Sequence, residues 1–259
     1  MNRRDFLKKS ALVTAGAAVA APVTAVLKTA ESAGLVDSEQ TEIQQVIKKD
    51  GKMKVLLING SPRHNGNTFA SLSEASKQLQ KYGIETEIFQ IGIKPVRFCL
   101  NCGGCHKENS GKCVYDDDVC NEIIAKIQSS DALIVGAPVY YGQPNGGLLS
   151  VMQRVFYAGG RFVQNKPAAA VAVCRRGGAT AAFQSMNMMF QMMNMPVVTS
   201  QYWNIVYGAS KGEAQLDDEG MQTMRTLASN MAWLLKKIHD SGSEDYPQRE
   251  PWKMTNFIR

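Results

Sequence analysis

The chain has 259 residues, of which 44% are apolar and 20% charged, a balance that supports one sizeable folded domain with appendages and excludes disorder over long stretches. Its net charge of +6 is concentrated at the start: Arg3, Arg4, Lys8 and Lys9 outweigh Asp5, and Lys28 balances Glu31, which leaves about +3 for the remainder. That excess is too mild to argue for a nucleic-acid partner, so none is expected.

The first segment differs in kind from the rest. MNRRDFLKK carries the charge, Ala11 to Leu27 is almost free of polar side chains, and Lys28 follows. A charged start followed by a modest, alanine-rich apolar stretch is the pattern of an export signal, and Arg3-Arg4 with Phe6-Leu7-Lys8 resembles a twin-arginine signal. The expected location is therefore periplasmic or otherwise extracytoplasmic, with residues 1–33 as the signal. A membrane span is the rival, but Ala, Gly and Thr make the stretch weakly hydrophobic for that role. Small residues at 17–21 and 30–33 offer more than one cleavage site, and no cysteine follows to take a lipid. Residues 34–52 are polar with a short helical pattern (Ile43, Val46, Ile47) and read as a linker or a loosely docked helix.

The domain proper, 53–240, begins with Lys54 to Asn59, a short run rich in Val, Leu and Ile that suits a strand buried on both faces. Gly60, Ser61, Pro62, Arg63, Gly66 and Asn67 make a turn-rich loop, and from Thr68 an amphipathic pattern (Phe69, Leu72, Ala75, Leu79) runs to Tyr82. Strand, polar loop and helix in that order aim backbone N–H groups at one point beside a positive helix end, where a phosphate is stabilised. Ser61, Asn67 and Thr68 add side-chain donors, and Arg63 adds charge. No Gly-Lys-Ser/Thr follows and the GxGxxG spacing is absent, so the pattern suggests a monophosphate.

Further along, Ile84 to Ile91 alternates like a strand, Phe98 to Asp118 is a cysteine-rich loop, and Val119 to Ile127 is helical. Ala132 to Ala137 is another buried strand. It leads into a long loop, Pro138 to Gly146, rich in aromatic and small residues. Then come a helix (Leu148 to Tyr157), a strand (Ala168 to Cys174), the loop Arg175 to Thr180, and another helix. Val197 to Tyr202 suits a fifth strand and Gly220 to His239 a closing helix, with 241–259 as a C-terminal tail. Five strand–helix alternations imply an α/β fold with a doubly wound, five-stranded parallel sheet and helices on both faces. Ligands of such sheets bind at the carboxyl ends of the strands near the switch point, and the loops after strands one, three and four fall at that edge.

Cys99, Cys102, Cys105 and Cys113 form the pattern C-x2-C-x2-C-x7-C. Cysteines at two-residue gaps can turn inward on one centre, as in bacterial ferredoxin loops. A [4Fe-4S] cluster, disulfides and zinc are all compatible with it. Cys120 and Cys174 suit buried apolar roles. Six methionines crowd residues 186–195. Their thioethers could bind Cu(I), but Met186, Met189 and Met193 share one helical face and suit a core or a subunit interface. Asp116, Asp117 and Asp118 precede a helix and suit its cap. The three histidines have no ligand spacing, and no Ser-His-Asp or paired-carboxylate arrangement supports hydrolysis.

Over about Lys54 to Ala209 the chain resembles the NADPH-dependent FMN reductase family of flavodoxin-like proteins. The likeness rests on Gly60-Ser61-Pro62-Arg63 with Gly66-Asn67-Thr68, and the end Thr255 to Arg259 is similar to that of many relatives. It implies that Ser61, Arg63, Gly66, Asn67 and Thr68 hold the phosphate of FMN. It further implies that Pro138, Val139, Tyr140, Tyr141 and Gly142 lie along the isoalloxazine ring, with Arg175, Arg176, Gly177 and Gly178 covering the other side. Flavin N5 would be the reacting atom, with no protein acid or base required. The cysteine loop is similar to the compact motif of the iron–sulfur flavoproteins, although their last gap is usually shorter. It also matches a CxxCxxC...GxCxxxDD pattern of relatives without a demonstrated cluster.

The expectation is an exported FMN-dependent oxidoreductase that passes electrons from a donor to a small acceptor. The family implies NAD(P)H as donor, whereas export points to a membrane or periplasmic redox partner. An electron-transfer module without its own substrate and a disulfide-based redox sensor are the alternatives. Family analogy also implies a homo-oligomer, dimer or tetramer.

Overall fold

The computed structural model describes residues 52–107, 109–240, 250 and 253. The expected signal, nearly all of the linker and of the tail, and the terminal Thr255 to Arg259 lie outside the described residues.

The elements are β1 (Lys54–Asn59), α1 (Asn67–Lys81), β2 (Glu85–Gln90), α2 (Gly104–Lys107), α3 (Cys120–Gln128), β3 (Ala132–Tyr140), β4 (Gln143–Pro144), α4 (Gly146–Gly159), β5 (Ala168–Cys174), α5 (Ala179–Met192), β6 (Ile205–Tyr207) and α6 (Asp218–Asp240), with short 3-10 turns at Gly160–Phe162 and Glu213–Leu216. Five strands pair in parallel in the order β2-β1-β3-β5-β6, and β4 adds an antiparallel extension to β3. The order reverses between β1 and β3, so the switch point lies at their carboxyl ends.

The alternation of side chains explains the layers. Leu56 and Ile58 of β1 join Leu133 and Val135 of β3 under α3, α4 and α5. Val55 and Leu57 join Ile134, Val171 and Val206 under α1 and α6. Because β1 is buried on both faces beyond its first residue, it has no polar side chain between Lys54 and Asn59. Each fully buried Val, Leu or Ile contributes about 1.5–3 kcal/mol. On α1, Leu72, Ala75 and Leu79 are buried as the periodicity predicts, but Phe69 is half-exposed.

Two expectations are corrected. Val197 to Tyr202 is not the fifth strand: Val197 makes only a single bridge with Ala168, and the strand is Ile205–Tyr207. The chain turns away between them, with the Ser200 hydroxyl donating to the Tyr202 carbonyl at 2.6 Å and the Thr199 carbonyl taken by Asn230. It rejoins the sheet at Asn204, whose carbonyl accepts from Ala172 and whose side chain donates to Ala170 at 3.0 Å. Second, Pro138 to Tyr140 continue β3 rather than opening a loop, because β4 folds back on them. On α5, Met186 is buried and Met189 and Met193 pack against the core, while Met188 and Met192 face solvent.

Glu87 on β2 ties the outer strand to its neighbours, accepting from Lys126 Nζ at 2.6 Å and Lys54 Nζ at 2.7 Å. The Lys126 bond, followed by the Lys54 bond, holds its carboxyl below the usual range. A carboxylate with a depressed folded-state pKa stabilises the fold above its unfolded pKa and loses that contribution as pH falls through the folded value. Its side chain is partly exposed, which limits the effect. We expect Glu87→Gln to cost about 0.5–1 kcal/mol at pH 7, with melting curves of the two proteins converging below about pH 4.

Candidate flavin site and cysteine centre

At the carboxyl end of β1 the chain passes Gly60 with almost no clearance. A Cβ there would lie 2.6 Å from Leu148 Cδ2 and 2.9 Å from the Gly136 carbonyl, to which the Gly60 N–H donates at 2.8 Å. Beyond it the loop is shaped by side-chain amides. Asn59 Oδ1 accepts from the Ser61 N–H at 3.0 Å, and Asn59 Nδ2 donates to Gln90. Gln90 in turn donates to the Ser61 carbonyl, and Asn145 donates to the Gly60 carbonyl. Ser61 Oγ accepts from the Arg63 N–H at 3.1 Å. The loop's carbonyls are thus held inward by partners.

The start of α1 has the opposite character. Its N-cap is Gly66, and no side chain caps it. The first N–H groups of a helix have no intrahelical partner, so this end offers unsatisfied donors and a positive dipole end to an anion. Ser61 and Thr68 are buried beside it, and Arg63 is exposed. Asn67 departs from the expectation that its side chain serves a phosphate. Its Nδ2 donates to the Ser210 carbonyl at 2.9 Å and its Oδ1 accepts from the Ala214 N–H at 3.3 Å. The side chain therefore docks the loop after β6, leaving the Asn67 backbone N–H for an anion.

The other two loops meet this edge. Tyr141 and Gly142 both have positive φ, 51° and 77°, the two central residues of a tight hairpin between β3 and β4. Tyr140, the last residue of β3, is half-exposed and Tyr141 fully exposed, whereas Pro138 and Val139 are partly buried strand residues. After β5, Arg175, Arg176, Gly177 and Gly178 are all exposed. Gly178 has φ 84°, and a Cβ on it would lie 2.8 Å from Gly142 Cα, so the second and third loops touch through two glycines. Neither Arg175 nor Arg176 forms an ion pair among the described residues.

The cysteine loop folds over α4. Each two-residue gap of its first three cysteines holds a left-handed residue, Asn101 (φ 50°) and Gly103 (φ 69°), which turns the chain back at each step. Cys99, Cys102, Cys105 and Cys113 line one cavity, walled by Phe98, Leu100, Val114 and Tyr157. All six cysteines are free thiols. Burial, and then the neighbouring Cys113, pushes the Cys105 thiol up. Among the described residues no three His, Cys, Asp or Glu side chains are gathered closely enough to hold one metal ion. The four thiols border one apolar-walled cavity, a donor set whose chemistry fits an iron–sulfur group as well as zinc or disulfides.

Sequence reasoning missed the residue beneath this centre. Arg154 on α4 is buried with Asp118, their side chains 2% and 3% exposed. All five of its N–H groups are used. Nε and one terminal nitrogen donate to Cys113 Sγ, each at 3.4 Å. The others reach Asp118, the Arg97 carbonyl at 3.2 Å and the Tyr115 carbonyl at 2.8 Å. Burial alone would lower its pKa, but the bonds to Cys113 and Asp118 and the nearby Cys120 outweigh that and raise it. Asp118 also accepts from the Cys120 N–H at 3.0 Å, so it serves the start of α3 as expected of a cap. Cys120 is buried as expected, its thiol pushed up to about 12 chiefly by burial. A charged residue amid the apolar positions of the Leu148 to Tyr157 helix was the available signal.

The parallel order, the switch-point cradle and the uncapped helix define a class of nucleotide-binding α/β protein. The family follows from comparison. Residues 53–210 match the model of the NADPH-dependent FMN reductase family, and the chain belongs to that family. It is 36% identical over 194 residues to an iron–sulfur flavoprotein of Methanocaldococcus jannaschii, covering 72% of this chain and 99% of that one. It is 32% identical over 192 residues to an iron–sulfur flavoprotein of Methanosarcina thermophila, covering 72% and 97%. A structure of RosB with bound 8-demethyl-8-formylriboflavin 5′-phosphate shares the fold, with a TM-score of 0.57, 16% identity and coverage of 80% and 94%. The protein is thus a flavin oxidoreductase with a flavodoxin-like fold, and FMN is its cofactor.

The uncapped α1 end fits an FMN phosphate, and Gly60 sets the course of the loop ahead of it, which gives a direct test. Gly60→Ala must move either Leu148 or the β3 backbone, at a cost of about 1–3 kcal/mol. We expect it to lower the melting temperature and the FMN-to-protein absorbance ratio together.

Proposed function

We propose that this protein is an exported FMN-dependent oxidoreductase whose cysteine centre carries a [4Fe-4S] cluster, relaying electrons between a donor and a small acceptor. The observation that carries the flavin half is the uncapped first turn of α1 beside the amide-pinned loop. FMN supplies the electron chemistry when bound. Ser61, Arg63, Gly66, Thr68 and the backbone of Asn67 hold the phosphate. The Tyr140–Tyr141–Gly142 hairpin and the Arg175–Gly178 loop flank the ring, and the arginines offset negative charge near it.

Cys99, Cys102, Cys105 and Cys113 are the cluster ligands in this reading. It draws support from the single cavity they line and from relatives that are themselves named iron–sulfur flavoproteins. Residues 1–33 direct export by the twin-arginine route, which carries folded proteins and so permits a cofactor to be inserted first. NAD(P)H is the donor by family. A membrane or periplasmic carrier takes that role outside the cytoplasm, where no nicotinamide pool is expected. The assembly is a homo-oligomer, dimer or tetramer, by analogy with the family.

A visible spectrum with iron and acid-labile sulfide analysis of anaerobically purified protein tests the reading. Bound FMN with about four irons and four sulfides per chain is expected; a colourless protein that does not take up added FMN overturns it. Cys102→Ser, at the most exposed of the four positions, should remove most of the iron and sulfide while FMN content stays at the wild-type level.

A further inference from the structure

We propose that Arg154 is the positioning residue of the cysteine centre: its guanidinium fixes Cys113 Sγ and, through two N–H···S bonds, raises the reduction potential of the cluster held there. This rests on the reading of that centre as a cluster site.

The Arg154–Asp118 pair is not needed merely to fill the core at this point. Arg154 sits on the core-facing side of α4, between Val151 and Val155, which are both buried. Burying an ion pair there is costly, and a hydrophobic replacement of similar volume is often neutral or better for stability. Its bond pattern has a direction: two N–H groups meet one sulfur, and the rest lock the guanidinium to Asp118 and to the backbone at Arg97 and Tyr115. Those backbone anchors lie two residues before Cys99 and two after Cys113. One buried side chain therefore clamps both ends of the cysteine loop to α4 and also touches a candidate ligand.

The electrochemical consequence follows from charge. A cluster that accepts an electron gains negative charge, part of it on the ligating sulfurs. Donors aimed at a sulfur stabilise that state more than the oxidised one, and the potential rises. The effect is strong here because the donors are buried and already oriented. Lysine keeps the charge but cannot offer two fixed donors to one sulfur while holding Asp118 and both carbonyls.

The test is an EPR-monitored redox titration of the anaerobically purified full chain with dithionite as reductant, comparing wild type, Arg154→Lys and Arg97→Ala. Arg97 supplies a carbonyl to Arg154, but its side chain pairs with Asp117 and not with the sulfur. The expected result is a lower cluster midpoint in Arg154→Lys, with the FMN couple unchanged and Arg97→Ala at the wild-type value. Loss of cluster from a folded, FMN-loaded Arg154→Lys also supports the positioning role. An unchanged midpoint with full cluster content overturns the inference, as does an equal shift in Arg97→Ala. Should Arg154→Lys fail to fold, resonance Raman spectra of wild type produced in D2O and in H2O decide: an isotope shift of the Fe–S(Cys) bands supports the bonds, and none overturns them. Wild type without iron and sulfide would instead overturn the cluster reading itself, and this inference with it.

Discussion

The structure depends on one crowded point, where Gly60 lies against Gly136 and Leu148 at the end of β1. Strand pairing brings β1 and β3 within hydrogen-bond distance there, and α4 lies across both, so no side chain fits. The loop that leaves this point must turn without using its own N–H groups on its own carbonyls. The buried amides of Asn59 and Asn145, with the partly buried amide of Gln90, supply the missing partners. Buried amides are stabilising only when satisfied. Here they are satisfied in one arrangement, which fixes the loop ahead of α1 and leaves the helix end uncapped.

Helix α4 links this point to the cysteine centre. Its first turn is capped by Asn145, whose Oδ1 accepts from the Leu148 N–H at 2.8 Å while its Nδ2 holds Gly60. Arg154 follows nine residues later, about 14 Å along the axis at 1.5 Å per residue. A single rigid element therefore sets the separation of the two candidate cofactor positions. Under the proposed reading, electron transfer between them needs no movement of the sheet, because both ends of the path are attached to one helix.

Much of this was legible in the sequence, and the parts that were not share a cause. β1, its loop and α1 could be read because a buried strand, glycine punctuation and a helical period are all local signals. The four cysteines could be grouped for the same reason. The fifth strand was misplaced because Val197 to Tyr202 has strand-like composition, while the outcome was decided by long-range bonds of Asn204 to β5 and Asn230 to Thr199. The reach of β3 to Tyr140 was hidden because a proline inside a run argues against a strand, and here a two-residue partner, β4, accommodates it. Asn67 was assigned a phosphate by its place in the motif, yet its amide is committed to residues more than 140 positions away. The Asn59–Gln90–Asn145 set and Arg154 are contacts across the whole domain, which no window along the chain can display.

The placement of the cysteine loop also bears on how the protein meets its partners. Three of the four cysteines are partly buried, and Cys102 is exposed. Cys99 and Cys105 face a second, wider groove as well, of about 760 Å³, bordered by His106, Tyr157 and the methionines of α5. None of the flavin-loop residues borders either cavity, and the loops after β3 and β5 touch through Gly142 and Gly178. With one candidate centre at the sheet edge and the other at the surface over α4, a donor and an acceptor need not compete for one opening. In a single-site flavin enzyme both must take turns at the ring. Under the proposed reading, a cluster held by the cysteine loop would give this fold a second approach, and that asymmetry is what a relay has over a simple reductase.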